Sequence, residues 1–217
     1  MNIEGIIFDL DGTLVNSIED ISDSMNAVLE KDKHPLHTYD TYETFIGSGI
    51  RNLVGKALPA SSKNETAIDK AFHAMFEHYK NNCTNKTYVY EGIDSLLTEL
   101  NKGTYKLAVL SNKADALTKK VVAHKFPNCF KQAVGLITEE LKKPNPEVVL
   151  KMCKELGLDT NKTLYIGDTS VDMQTAKNAG LTSVAVTWGF RSKEDLLKEN
   201  PDYIIDRPNE LLELLKG

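Results

Sequence analysis

Two carboxylates one residue apart, Asp9 and Asp11, stand at the end of the largely apolar stretch Ile3-Glu4-Gly5-Ile6-Ile7-Phe8. Such a stretch reads as a buried strand. Asp is a poor strand former, so two of them at its C-terminal tip need a reason. Side chains two apart on an extended backbone point the same way, so both acids would face one site if the strand persisted. Gly12 argues that the backbone turns instead, exposing main-chain groups and letting a bulky anion come close. Two crowded acids repel unless a cation sits between them or one holds a proton. That favours a bound divalent metal, or a nucleophile with an acid/base partner, or both. A solvated Asx turn closing a strand is the plainer alternative. A calcium loop fits worse, because its glycine belongs at the sixth position between two helices, whereas here glycine is fourth and a strand precedes it.

Three more polar clusters fall in comparable places. Ser111-Asn112-Lys113 follows an apolar strand expected over 105–110. Lys142-Lys143-Pro144-Asn145-Pro146 breaks the chain before a helix, and Gly167-Asp168-Thr169-Ser170-Val171-Asp172 follows a strand expected over 163–166. Each has a bland reading. Ser111-Asn112 could cap the next helix, Lys143 could be a solvated turn residue, and Asp168 and Asp172 could serve a helix N-terminus.

The elements that must position these residues are legible as changes of period. From Ser17, a possible N-cap, a 3.6-residue pattern runs for some seventy residues. Its stripes are Ile18, Ile21, Met25, Val28 and Leu29, with Asp20 in the first turn; then Ile50, Leu53, Val54, Ala57 and Leu58; then Ile68, Phe72, Met75, Phe76 and Tyr79. From Val89 the texture alternates. A helix through Ile93, Leu96, Leu97 and Leu100 precedes the strand over 105–110, and a helix over 117–123 precedes a strand over 133–137. A helix through Val149, Met152, Cys153 and Leu156 stops at Gly157 and leads to the strand over 163–166. A helix ending at Ala179-Gly180 and strands over 183–186 and 203–205 finish the pattern. Alternation of this kind means parallel strands joined by helical crossovers. The expected fold is α/β, a Rossmann-like parallel sheet core of residues 1–15 and 89–217 with an α-helical cap inserted over 16–88. The insertion should overhang the tip of the first strand as a lid. In open parallel sheets ligands sit beyond the carboxyl ends of the strands, which is where all four polar clusters fall.

Composition sets bounds. The chain has 217 residues, 41% hydrophobic and 26% charged, enough for one large domain or a core with a smaller companion. Its net charge of -5 and lack of a basic cluster disfavour nucleic acid and anionic membranes as partners. With no apolar segment long enough to span a bilayer, a cytoplasmic location is the expectation. Cys83, Cys129 and Cys153 are odd in number and widely spaced, suggesting neither a disulfide framework nor a thiolate zinc site. The pairs His34/His37 and His73/His78 lack helical metal-pair spacing.

The chemistry that uses all four clusters is phosphoryl transfer. A carboxylate can attack a phosphoryl group only if negative charge is offset by Mg²⁺ and by cationic or hydrogen-bonding groups. Lys143 offers fixed charge, and Ser111, Thr13 and backbone amides offer neutral donors. Asp168 and Asp9 offer the hard oxygen ligands that Mg²⁺ prefers.

Asp9-Leu10-Asp11-Gly12-Thr13, Ser111-Asn112, Lys143-Pro144-Asn145-Pro146 and Gly167-Asp168-Thr169-Ser170-Val171-Asp172 together resemble the four ordered motifs of the haloacid dehalogenase-like hydrolase superfamily. The resemblance covers the whole chain, helical cap included. It implies that Asp9 forms an aspartyl-phosphate, while Asp11 protonates the leaving alcohol and then deprotonates water. It further implies that Asp9, the Asp11 main-chain carbonyl and Asp168 hold Mg²⁺, with Asp172 assisting directly or through water. Thr13, Ser111, the Asn112 amide and Lys143 would hold the transferring group. Dehalogenases and phosphonoacetaldehyde hydrolases of the superfamily lack an acid at the place of Asp11. The cap stretch Phe45-Ile46-Gly47-Ser48-Gly49-Ile50-Arg51-Asn52-Leu53 resembles the corresponding loop of phosphoglycolate phosphatases, which would put Gly47 and Arg51 near substrate. The expected substrate is a small phosphorylated metabolite, 2-phosphoglycolate first, for a monomer or homodimer. A β-phosphoglucomutase-like mutase and a pyrophosphatase share the architecture. A receiver-like phospho-acceptor module is the non-enzyme alternative, with Asp11 against it because a general base hastens loss of an acyl phosphate. Lys113 and Arg191 could be electrostatic helpers to the site, but placement at the surface is the expectation for both.

Overall fold

The computed structural model describes residues 2–216. The chain divides into two compact units, one of residues up to Val15 together with those from Val89 onward, the other Asn16–Tyr88. Along the chain, β1 (Gly5–Phe8) and β2 (Val15–Asn16) precede helices α1 (Ile18–Lys31), α2 (Tyr39–Glu43), α3 (Gly49–Ala57) and α4 (Glu65–Asn82). Then follow β3 (Tyr88–Val89), α5 (Ile93–Lys102), β4 (Lys106–Ala114), α6 (Asp115–Lys125), β5 (Gln132–Leu136) and α7 (Glu147–Leu156). The chain continues with β6 (Thr163–Gly167), α8 (Ser170–Ala179), β7 (Thr182–Val186), α9 (Lys193–Lys198), β8 (Tyr203–Ile205) and α10 (Glu210–Lys216). Helices α9 and α10 lie outside the predicted pattern. At six and seven residues they are too short to display a helical period.

The larger unit holds a six-stranded sheet in the order β5-β4-β1-β6-β7-β8, with parallel pairing between neighbours. All four residues of β1 are buried, as a parallel strand covered on both faces requires. On one face Ile7, Ala108, Leu110 and Tyr165 pack with Val149 and Met152 of α7 and Ala176 and Ala179 of α8. From β1 the chain steps outward through β4 to β5, then returns to the other side of β1 as β6 before stepping out to β7 and β8. The crossovers leaving β1 and β6 therefore diverge, and the crevice between them is the switch point where open α/β sheets place ligands.

In the helical unit the stripe expected on α1 is buried at Ile18, Ile21, Met25, Val28 and Leu29. Two local expectations change. The Ser17 side chain makes no cap hydrogen bond; Asn16 Oδ1 accepts from Ile18 N instead, at 3.0 Å. On α4 the buried residues are Ala71, Met75 and Tyr79, with Ile68, Phe72 and Phe76 half-buried, because the helix packs against both α1 and α3. His37 is a structural residue, its Nε2 at 2.9 Å from Ala57 O and its ring edge-on to Tyr42 and Phe45. Cys83 and Cys153 are buried, and among the described residues none of the three cysteines is in a disulfide. No described helix is long and apolar enough to cross a membrane.

Asp20 does more than favour a helix dipole. It is buried and accepts hydrogen bonds from Lys86 N at 2.9 Å, Thr87 N at 2.7 Å and Thr87 Oγ1 at 2.7 Å, tying the end of the helical unit to its start. Asp20→Ala strands these buried donors and should cost about 2–4 kcal/mol. Urea titration should show a lowered midpoint with an unchanged m value; an unchanged midpoint would refute the assignment.

Candidate active site

The loop after β1 is built by close backbone approach. Asp9 N donates to Ile166 O at 2.9 Å, carrying the β1–β6 pairing one residue past the strand. Leu10 O then accepts from Leu14 N at 2.9 Å and Val15 N at 3.1 Å, and Gly12 turns with φ +86. A Cβ on Gly12 would strike the Asp168 carboxyl group and the Phe190 ring, and one on Gly189 would strike Gly12 O and Asp168. These two glycines let the loops after β1, β6 and β7 converge.

Asp168, fully buried, is gripped from both sides. Thr13 Oγ1 donates to its Oδ1 at 3.2 Å and Phe190 N donates to its Oδ2 at 2.8 Å. Trp188 Nε1 donates to Thr13 O at 3.0 Å, pinning the first loop to the end of β7. Nothing in the sequence pattern singled out Trp188, Gly189 or Phe190. The one available signal was their place just past a parallel strand on the same edge.

Lys143 is the buried cation. Its Nζ lies 2.7 Å from Asp172 Oδ1, 2.9 Å from Asp9 Oδ1 and 3.3 Å from Leu110 O. Burial works against that charge, but Asp172 and Asp9 overcome it and hold the ammonium well above its ordinary pKa. Asn112 clasps the Lys143 backbone reciprocally, accepting from its N at 2.8 Å and donating to its O at 3.2 Å. Asp172 serves twice: its Oδ1 meets Lys143, while its Oδ2 accepts from Thr169 N at 3.0 Å and Thr169 Oγ1 at 2.6 Å in a capping box for α8. The helix-terminal role weighed for it is thus real and compatible with the site.

Ser111 does not cap the next helix; Ala114 occupies that position. Strand β4 runs on through Ala114 with a register irregularity after Leu110, the kind of bulge that re-aims side chains. Ser111 Oγ accepts from Lys113 N at 3.2 Å and still has its own O–H to give.

Lys113 overturns the surface expectation. It is 5% exposed, and its Nζ lies 2.7 Å and 2.6 Å from the two oxygens of Asp11. The strand ends at Phe8, and the two leading acids have different lysines as partners. Arg191 is half-buried and donates to Phe190 O at 3.3 Å. In the helical unit Gly47 has φ +109, and Arg51 pairs with Glu65 at 2.6 Å and with Asp69.

Asp9, Asp168 and Asp172 each offer an oxygen within 4.8 Å of the others. The set fits a hard divalent cation on three counts. All donors are carboxylate oxygens. Asp9 Oδ1 is buried and accepts no hydrogen bond among the described residues, although the Lys143 ammonium stands near it. Four carboxylates (Asp9, Asp11, Asp168, Asp172) meet two ammonium groups (Lys113, Lys143), a deficit that one divalent ion closes. Without it, burial and then Asp172 push the Asp9 carboxyl up to about 7 despite Lys143, and burial, Asp172 and Asp9 raise Asp168 well above the carboxylate range. The Asp11 carboxylate lies on Lys113, which leaves its main-chain carbonyl as what it would offer a metal.

Carboxylates and ammonium groups lie buried together at the switch point of a parallel sheet, the place where an open α/β enzyme holds its ligand. The family itself is shown by sequence: the haloacid dehalogenase-like hydrolase model matches residues 6–186, and the chain belongs to that family. The chain is 33% identical to the phosphoglycolate phosphatase of Aquifex aeolicus (strain VF5), over 97% of this chain and 95% of that protein. It is 30% identical to the phosphoglycolate phosphatase of Psychrobacter arcticus (strain DSM 17307 / VKM B-2377 / 273-4), over 99% and 96%. A crystal structure from Lactobacillus delbrueckii subsp. bulgaricus ATCC BAA-365, provisionally assigned as a phosphoglycolate phosphatase, superposes with a TM-score of 0.92 at 29% identity, covering 99% and 98%. This chain is a phosphatase of the same family.

The raised Asp9 carboxyl gives a signed expectation. The native state keeps that proton to about pH 7 while an unfolded Asp loses it near 3.8, so between those values the metal-free protein loses stability from this group as pH rises. A cation binding the ionised form reverses the loss. The Mg²⁺-induced rise in Tm should therefore be larger at about pH 8 than at about pH 5.5. Calorimetry near neutrality in buffers of different ionisation enthalpy should show proton release on Mg²⁺ binding; equal Tm shifts and no release would rule out Asp9 as a ligand.

Proposed function

We propose that this protein hydrolyses 2-phosphoglycolate, in a Mg²⁺-dependent reaction through an aspartyl-phosphate on Asp9. The observation that supports it most is the meeting of Asp9 with Lys143, Asp168 and Asp172 in one buried cluster. The named substrate comes from the relatives.

Asp9 attacks phosphorus as the bond to the leaving oxygen breaks, and Asp11 gives that oxygen its proton. Asp11 then takes a proton from the water that attacks the aspartyl-phosphate, releasing inorganic phosphate and restoring Asp9. Lys143, Ser111 and the Asn112 amide hold the phosphoryl oxygens, and Thr13 must turn its hydroxyl from Asp168 Oδ1 to join them. Asp9, Asp168 and the Asp11 carbonyl would hold Mg²⁺, with Asp172 assisting directly or through water. Bound Mg²⁺ offsets the charge that otherwise repels a phosphate dianion from this cluster. Gly47 and Arg51 are the cap's contribution to reading the leaving group, and Arg51 must exchange Glu65 and Asp69 for the substrate. The cytoplasm is its place of action.

Assay of pure protein against a panel of phosphate esters, with Mg²⁺ and with chelator, tests the reading. Turnover should be highest on 2-phosphoglycolate and abolished by chelator. Asp9→Asn should lose roughly 10³-fold or more in kcat, and Asp11→Asn about 10²–10⁴-fold, the latter trapping an adduct detectable by mass. Retained activity in Asp9→Asn sinks the mechanism. Interconversion of sugar phosphates without phosphate release would make the protein a mutase instead.

A further inference from the structure

We propose that Lys113 is a positioning residue for catalysis, holding the Asp11 carboxylate by both oxygens so that it is directed at the leaving oxygen and kept apart from the Asp9 cluster. The inference rests on the acid/base role given to Asp11 above and adds a residue to it.

The geometry is that of a built clamp. The Lys113 side chain is 2% exposed and the Asp11 side chain 12%, with Nζ at 2.6 Å and 2.7 Å from the two carboxylate oxygens. An ammonium buried this deeply is costly unless a charge answers it, so the pair holds its place firmly. The lysine's backbone is fixed at both ends. Its N donates to Ser111 Oγ at 3.2 Å, and its O accepts from Thr118 Oγ1 at 3.0 Å. Gly135 on the neighbouring strand leaves room for this, since a Cβ there would collide with Lys113 O and Thr118 Oγ1. The bulge after Leu110 is what brings residues 111–113 to this edge. A carboxylate held at two points by a buried cation is restrained in orientation, and misplacing a catalytic group by about 1 Å costs on the order of 10²-fold. The site thus divides its cations: Lys143 serves the nucleophile and its neighbours, while Lys113 serves the acid/base.

The test uses leaving groups of different quality. An alkyl ester such as 2-phosphoglycolate needs its leaving oxygen protonated, whereas p-nitrophenyl phosphate does not, and kcat/KM reports the steps through leaving-group departure. Lys113→Met should lower kcat/KM about 30-fold or more on the alkyl ester and less than about 3-fold on the aryl ester. Placed in an Asp11→Asn background it should add little further loss, because the two residues act as one unit. Equal losses on both esters in a variant with wild-type circular dichroism, or fully additive losses in the double variant, would overturn the proposal. If Lys113→Met does not fold, Lys113→Gln, which removes the charge but keeps a polar side chain of similar length, carries the same comparison. A fully active Asp11→Asn would instead bring down the acid/base reading itself, so the two failures are distinguishable.

Discussion

A carboxylate taken out of water is expensive unless a positive charge answers it, and the carboxyl edge of this sheet takes out several at once. Asp168 and Asp172 are wholly buried, Asp9 nearly so and Asp11 largely so. Two buried lysines meet part of that charge, each directed at different acids. What is left over is a charge that a divalent cation would close, and the proposed reaction rests on that. Burial first, and the same imbalance after it, raise the Asp9 and Asp168 carboxyls above the ordinary carboxylate range in the protein alone.

Such a cluster can exist only where backbones come unusually close. Gly12 and Gly189 have no side chain because Asp168 and the facing main chain occupy that volume, and Gly167 has none because Asp172 does. The glycines are spatial requirements of the acid cluster as well as turn residues. Around them, ordinary polar devices carry a second duty: the capping box of α8 orients Asp172, and the amide of Asn112 orients Lys143. A helix end and a strand bulge thereby become parts of the catalyst's scaffold.

The helical unit follows other rules. Its core is the apolar stripes of α1, α3 and α4 together with a few satisfied polar groups, of which Asp20 is the most connected. Its Arg51 is saturated by two carboxylates of its own unit. Substrate choice, in the reading proposed here, draws on this unit, whereas the reaction class belongs to the sheet.

Much was decided by order along the chain. The periods of apolar residues and the polar clusters after strands specify a parallel sheet with an inserted helical unit, and they mark Asp9, Asp11, Lys143 and Asp168 as residues worth attention, because local pattern and strand polarity are properties of sequence. Partner identity is different. That the Asp11 carboxylate meets Lys113 and not the group of Asp9, Asp168 and Asp172, that Asn112 serves Lys143, and that Trp188 and Phe190 secure the first loop all depend on how separate crossovers return to one edge. A lysine next to Ser-Asn looks the same in sequence whether it points to water or into a cleft. Only the bulge in β4 and the close packing around Gly135 turn it inward, and those are consequences of three-dimensional packing.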